Sequence, residues 1–182
     1  MDKPDFAVLG QNLQLLRKNR KLSLSQLASN AGIAKSNLSR IEQGEGNPTI
    51  ETIWRLALQL DVPFGDLVAR ADSAWGENGV QVRLIDQGND NPRVDVYWMS
   101  LAPHSLKNSE PHFEGSVEAV TVISGLIQTG NTDNPQHLRA GNYCSFDAAK
   151  PHFYQTTDSA ANMIVTITYP SEHSDNRGNV RP

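Results

Sequence analysis

Two stretches of this 182-residue chain carry side chains whose types and spacing can do chemistry. The first brings imidazole and carboxylate together: His112-Phe-Glu114-Gly-Ser-Val-Glu118, with Gly125 seven residues on, and later Gly141 leading to Pro151-His152. His112 and Glu114 lie two apart, so on a strand they face the same way, toward the interior that the strand encloses. Imidazole and carboxylate donors together suit Zn, Mn, Fe or Ni better than a soft metal. A competing reading leaves Glu114 and Glu118 as solvated rim charges, with no metal. The second stretch is SLSQLASNAGIAKSNLSRIEQG, from Ser23 to Gly44. Arg17, Lys18, Arg20 and Lys21 precede it, and Lys35 and Arg40 lie inside it. A locally basic face on an acidic chain fits a small DNA-binding domain joined to a different one, or an ordinary solvated helix end.

The elements that must position these groups change character near residue 72. Before it, Phe6, Leu9, Leu13 and Leu16 recur at helical spacing and predict a helix over 6–19. Ser23 with Gln26 three places on reads as a capping box, opening a second helix that Gly32 ends. A third runs from Lys35 to Gln43 with Gly44 as its stop, a fourth starts after Asn47-Pro48-Thr49, and a fifth spans 63–69. After residue 72 the apolar period shortens to two. Strands are expected over 80–86, 93–101, 117–124, 126–129, 142–146, 152–157 and 162–169, with turn signals between them. Many short strands without intervening helices suggest a β-sandwich or small barrel. Residues 73–79 read as a linker and 171–182 as a disordered tail.

Composition closes off several classes. Hydrophobic residues make up 38% and charged residues 20%, enough for a folded core. Residues 1–72 carry nine Lys and Arg against eight Asp and Glu, a net +1 within a chain of net −4. Residues 73–182 carry seven against twelve, a net −5. One cysteine, Cys144, excludes an internal disulfide and a thiolate zinc finger, and reads as a small buried hydrophobe. The N-terminus lacks the apolar segment of a signal peptide, and no apolar run approaches the roughly 20 residues of a membrane helix. The expectation is a cytoplasmic protein with no membrane partner.

The 23–44 stretch, taken with the helices around it over about residues 6–70, resembles the Cro/C1-type (XRE family) helix-turn-helix. The resemblance implies that Ala28 and Gly32 allow the second and third helices to meet, with Ile33, Leu38 and Ile41 filling the wedge between them. It also implies that Lys35, Ser36, Asn37 and Arg40 point outward from a recognition helix into the major groove of double-stranded operator DNA. Arg17, Ser25 and Gln26 are the expected phosphate contacts. Arg17 has a second reading, a pair with Glu42 inside the domain.

The second half, over about residues 78–170, is similar to the cupins. Their two motifs supply metal ligands, and the resemblance places His112, Glu118 and His152 on ligand positions, with Glu114 replacing a second histidine. Four protein ligands lean toward zinc in a structural or anchoring role. A cupin barrel (a double-stranded β-helix) also encloses a small-molecule pocket. Tyr97, Met99, Phe113, Phe146, Tyr154 and Met163 are its expected lining, or plain core, and His104 a spare ligand or pocket donor. His137 and His173 read as surface residues.

The fold class expected is thus α + β and multidomain: a five-helix DNA-binding domain over 1–72, then an all-β cupin barrel over 80–170. That combination resembles bacterial transcriptional regulators. It implies a homodimer on a roughly palindromic operator and a small polar effector, an amino acid or sulfur compound. The competing class is a metal-dependent cupin enzyme, a dioxygenase or isomerase carrying a DNA-binding segment. A third is an antitoxin-like DNA binder whose barrel only contacts partners.

Overall fold

The computed structural model describes residues 6–68, 75–88 and 90–170, so the tail over 171–182, with His173, lies outside the described residues. The chain divides into two compact units at Trp75/Gly76. Among the described residues, the first unit contains five helices: α1 (Phe6–Asn19), α2 (Leu24–Asn30), α3 (Lys35–Glu42), α4 (Ile50–Leu60) and α5 (Phe64–Val68).

The helix boundaries follow local chemistry. The Ser23 hydroxyl accepts from the Gln26 amide at 3.2 Å, and the Gln26 side chain accepts from the Ser23 amide at 2.8 Å, a complete capping box. At α4 the Thr49 hydroxyl accepts from the Thr52 amide at 3.0 Å, a single N-cap bond. The turn between α2 and α3 passes through Gly32, whose φ of 64° is the left-handed conformation that L side chains resist. Leu9, Leu13, Leu27, Leu38, Ile41, Ile53 and Leu56 fill the core, so each helix buries one stripe. Gly10 sets how near α1 comes to α3: a Cβ there would stand 2.6 Å from the Ile41 carbonyl oxygen. Any larger residue would push the third helix away.

The second unit holds two antiparallel sheets. One has six strands: β1 (Trp75–Glu77), β2 (Val80–Gln87), β3 (Val94–Leu101), β10 (Ala161–Thr168), β5 (Val117–Ser124) and β8 (Tyr143–Asp147), in that order. The other, also in order of pairing, has β4 (Leu106–Ser109), β9 (His152–Gln155), β6 (Leu126–Asn131) and β7 (Gln136–Arg139). Apart from β1 and β2 at one edge, this is the interleaved strand order of a double-sheet jelly roll, the cupin architecture. The two sheets remain separate hydrogen-bonded layers rather than one closed ring.

Strict alternation lines the space between them. In β3, Asp95, Tyr97, Met99 and Leu101 are buried, and in β10 Ala161, Met163, Val165 and Ile167. Three strands lie where the sequence pattern marks none. Trp75–Glu77 falls inside the segment read as linker, whose residues 73 and 74 lie outside the described residues. Leu106–Ser109 and Gln136–Arg139 are four residues each and mostly polar, so their pairing comes from neighbours β9 and β6 rather than from an apolar pattern of their own.

Candidate functional site

On the helical unit, Lys35, Ser36, Asn37 and Arg40 are all exposed on α3, while Leu38 and Ile41 of the same helix are buried. Ser25 and Gln26 are exposed on α2. The arrangement leaves one polar helix face outward, with donors suited to base edges and phosphates.

Arg17 belongs elsewhere. Its Nε and Nη2 donate to the two Glu42 carboxylate oxygens at 2.6 and 2.8 Å, and its Nη1 donates to the Leu22 carbonyl at 2.8 Å. The side chains are 12% and 4% exposed, so a phosphate could not displace Glu42 without stranding a buried carboxylate. The hydrogen bonds to Glu42 raise the Arg17 pKa further. The phosphate-contact expectation for Arg17 is therefore corrected in favour of the internal pair. Arg20 is likewise internal, donating to the Leu60 and Asp61 carbonyls at 2.8 and 2.7 Å and fastening the end of α1 to the end of α4. Of the basic cluster near residue 20, two guanidiniums thus hold the fold together.

In the β unit, His112, Glu118 and His152 converge, with ligand atoms all within 4.8 Å of one another. Each comes from a different element. Glu118 points inward from β5, and His152 is the first residue of β9, aligned with Ser109 and Asn131 on the adjoining strands. His112 is on a loop. Its backbone amide donates to the Ala148 carbonyl at 2.8 Å, and the Ala148 amide donates to the Ser116 carbonyl at 3.0 Å. These two bonds clamp the connection before β5 to the one after β8, which brings His112 over Glu118.

The Glu118 Oε2 atom lies 3.2 Å from His112 Nε2 and 3.3 Å from His152 Nε2. All three side chains are at most 3% exposed. Burial pushes the Glu118 carboxyl pKa up, but the two imidazoles outweigh burial and hold it at about 2. Burial lowers the His112 pKa, with Glu118 opposing it only in part. For His152 burial also lowers, yet the Glu118 charge and the hydrogen bonds win and the net shift is upward.

Orientation completes the description. The His152 Nδ1 atom lies 2.9 Å from the Lys150 carbonyl, which can only accept, so Nδ1 carries hydrogen and donates. In the neutral ring Nε2 then presents a lone pair toward Glu118, and that buried nitrogen has no hydrogen-bond partner among the described residues. A lone pair facing a carboxylate oxygen at 3.3 Å is repulsive until a proton or a cation sits between them. An imidazole fixed through its far nitrogen to a backbone carbonyl, beside a carboxylate, is how metal-ligating histidines are held. The residues therefore fit a divalent metal.

Two expected members are absent from this group. Glu114 lies on the turn Phe113–Ser116, closed by the Ser116 amide donating to the Phe113 carbonyl at 3.0 Å. Gly115, at φ 81°, takes the position of that turn that demands a left-handed residue, so the strand begins only at Val117 and Glu114 is exposed at the tip. The strand alternation expected to aim Glu114 inward does not apply, and the four-ligand set becomes three. His104 is the second correction: it occupies a turn after β3 with φ 56°, is exposed, and lies 3.8 Å from the exposed Asp158. It faces solvent, not the barrel interior.

Of the expected lining residues, Tyr97, Met99, Phe146, Tyr154 and Met163 are buried and Phe113 is half-buried. Phe146 and Tyr154 flank His152, at ring separations of 5.4 and 6.4 Å. The Tyr154 hydroxyl is buried without a hydrogen-bond partner among the described residues. Two cavities open away from these side chains. One, of about 420 Å³, lies against β6 and β7, lined among others by His137 and Arg139. The other, of about 340 Å³, borders β2 and the end of β3. Sequence reasoning missed a buried Arg93–Asp95 pair, 3.4 Å apart, with the Tyr97 hydroxyl donating to Asp95 at 3.0 Å. Its signal was available: Asp95 stands on the inward alternation of an otherwise apolar strand.

The helix-turn-helix family profile matches residues 13–67. The HTH-type transcriptional regulator SinR of Bacillus subtilis (strain 168) is 43% identical over 78 residues, covering 37% of this chain and 70% of that protein. The chain belongs to the helix-turn-helix transcriptional regulators. Similarity extends beyond the helices of this regulator. The HTH-type transcriptional regulator SutR of Escherichia coli (strain K12) is 29% identical over 169 residues, covering 89% of this chain and 95% of its own. A crystal structure of an HTH_3 family transcriptional regulator from Vibrio cholerae superposes with TM-score 0.79 at 25% identity, covering 91% of this chain and 97% of that one. The regulator therefore shares both units, in the same order, with other regulators. No helix among its described residues is long and apolar enough to cross a membrane.

Proposed function

We propose that this regulator is a cytoplasmic homodimer that reads a roughly palindromic operator through α3 and senses a small polar metabolite through a metal held by His112, Glu118 and His152. Lys35, Ser36, Asn37 and Arg40 supply the base-edge contacts, and Ser25 and Gln26 the phosphate contacts. A single recognition helix covers too few base pairs for a specific site, which supports the dimer. Metal-dependent sensing rests on one observation: the buried convergence of His112, Glu118 and His152, with His152 Nε2 fixed toward the Glu118 carboxylate.

With three protein ligands rather than four, a bound divalent ion keeps positions for a ligand of its own. A carboxylate-bearing effector, such as an amino acid or a sulfur-containing one, can fill them. The Tyr154 hydroxyl beside His152 is a ready donor for it. Zinc is the metal to test first, since it accepts imidazole and carboxylate without geometric demand. An effector that binds one arrangement of the dimer better than another shifts operator affinity by that difference.

A second reading gains from the loss of Glu114. Two histidines and one carboxylate with open positions also suit an iron-dependent oxygenase. Elemental analysis of the purified, untagged chain beside a His112→Ala/His152→Ala double variant tests the centre itself. About one zinc per chain, absent from the variant, is the expected result. Gel shifts of the zinc form with and without methionine or cysteine then test sensing. Iron in the wild type together with oxygen consumption would move the conclusion to the enzyme.

A further inference from the structure

We infer that the outer face of the six-stranded sheet is where two copies of this chain meet. The inference rests on the homodimer proposed above and names the surface that forms it. An antiparallel sheet ordinarily turns polar side chains to water on its outer side. This one does not. Along β3, β10 and β5, none of the twelve outward positions carries a charge. Two rows cross these strands in register: Trp98–Ile164–Thr121, and beside it Val96–Thr166–Ala119. The first row continues to Tyr143 on β8, which is 61% exposed, and Val117 and Ile123 on β5 are 45% and 48% exposed.

Three observations identify the occupant as a second copy. The polar groups at one end of the face satisfy each other. Trp98 Nε1 donates to Ser100 Oγ at 2.9 Å, Ser100 Oγ to Asn162 Oδ1 at 2.7 Å, and Asn162 Nδ2 to Ser124 Oγ at 2.9 Å. Such a ladder satisfies the indole N–H, the Ser100 hydroxyl and the Asn162 carbonyl within the face itself, which lowers the cost of leaving water. Charge appears only on the flanking strands, with Arg83 and Asp86 on β2 and Asp147 on β8, the uncharged centre and polar rim of a protein interface. A centre without charge offers nothing to DNA phosphates or to an acidic peptide, yet meets its own two-fold image without like-charge repulsion.

The area suffices as well. With strands about 4.8 Å apart and about 6.7 Å between outward residues, each such residue covers ~32 Å². About twenty positions on the five strands from β2 to β8 then give ~640 Å² per copy, or ~1,300 Å² in all, within the range of stable interfaces. The outer face of the four-stranded sheet differs: Leu106 and Leu126 are exposed there too, but the charged Arg139 and His137 of β7 project beside them, and Gln128 and Gln155 lie opposite one another on β6 and β9.

The test is the mass of the full chain in solution, by sedimentation and light scattering at micromolar concentration. The wild type is expected at twice the chain mass. Ile164→Arg and, as a milder change, Thr121→Glu should each halve it while leaving the far-ultraviolet circular dichroism unchanged. Gln128→Arg, on the other sheet, should leave the dimer intact. Mixing Ile164→Arg with Ile164→Asp chains should recover the double mass. If the wild type is a dimer and folded Thr121→Glu remains one, the face is wrong while the dimer stands. A monomeric wild type overturns both, and leaves the uncharged face to a partner other than a second copy.

Discussion

The helical unit and the β unit each bury a carboxylate against nitrogen, and the outcomes are opposite. Glu42 receives two guanidinium hydrogen bonds, and the third guanidinium nitrogen of Arg17 donates to the Leu22 carbonyl. Glu118 has two imidazoles against one of its oxygens, at 3.2 and 3.3 Å, and in the neutral His152 ring the nitrogen facing it carries no hydrogen to donate. The difference separates structure from binding. A carboxylate held by a bidentate guanidinium fastens the fold, whereas a carboxylate with two imidazole nitrogens converging on it is a donor set that a divalent cation fits. Charge follows the same division: the helical unit turns Lys35 and Arg40 outward, and the β unit turns Glu118 and Asp95 inward.

The sharpest way to break this comparison is to remove the imidazole from one side of it. His152→Ala should lower metal content from about one ion per chain to none, measured by elemental analysis, with operator binding by the helical unit retained. Equal metal content in the variant would show that the converging side chains are not the ligands. On the satisfied side, Arg17→Ala leaves the Glu42 carboxylate buried and unpaired. It should cost roughly 2–4 kcal/mol, somewhat less than a fully buried pair because Arg17 is partly exposed. Thermal or urea unfolding reads that loss. The slope of operator affinity against salt should stay the same, because no phosphate contact is removed.

Arg40→Ala comes next, at about 1–3 kcal/mol on one base position with relaxed specificity there. A uniform loss over all operator variants would reassign Arg40 to the phosphates. Proton balance gives a subtler measurement. Glu118 raises the His152 pKa and the metal requires that imidazole unprotonated, so loading near neutral pH should release protons. Titration in buffers of different ionisation enthalpy counts them, and the release should grow as pH falls. A metal uptake with no buffer dependence would place the ion elsewhere. The smallest effect expected is none: Glu114→Gln should leave metal content unchanged, since the side chain is at the tip of a turn.

Much of the architecture was legible because local rules and tertiary context agreed. The capping box at Ser23, the turn at Gly32 and the stripe through Leu9 and Leu13 all specify helices that packing then uses. Strand alternation in 94–101 and 161–168 marked the inward faces correctly. What escaped was structure without a pattern of its own. The strands β4 and β7 are too short and polar to announce themselves, and they form because β9 and β6 offer edges. Glu114 misled for a related reason. Alternation holds only inside a strand, and Gly115 postpones the strand by one turn.

The sequence by itself determined two units, the caps and turns of the first, the alternation of the second, and the residue types able to hold DNA or a metal. These are local properties, set by backbone preference and by the period of the apolar residues. Only the tertiary structure decided which charges are occupied and which are open. Arg17 and Glu42 are 25 positions apart, as distant in sequence as many pairs that never touch. His112 reaches Glu118 because two hydrogen bonds at Ala148 draw its loop over the sheet. Whether a charged side chain is a brace or a ligand depends on what burial places beside it, and no spacing along the chain records that.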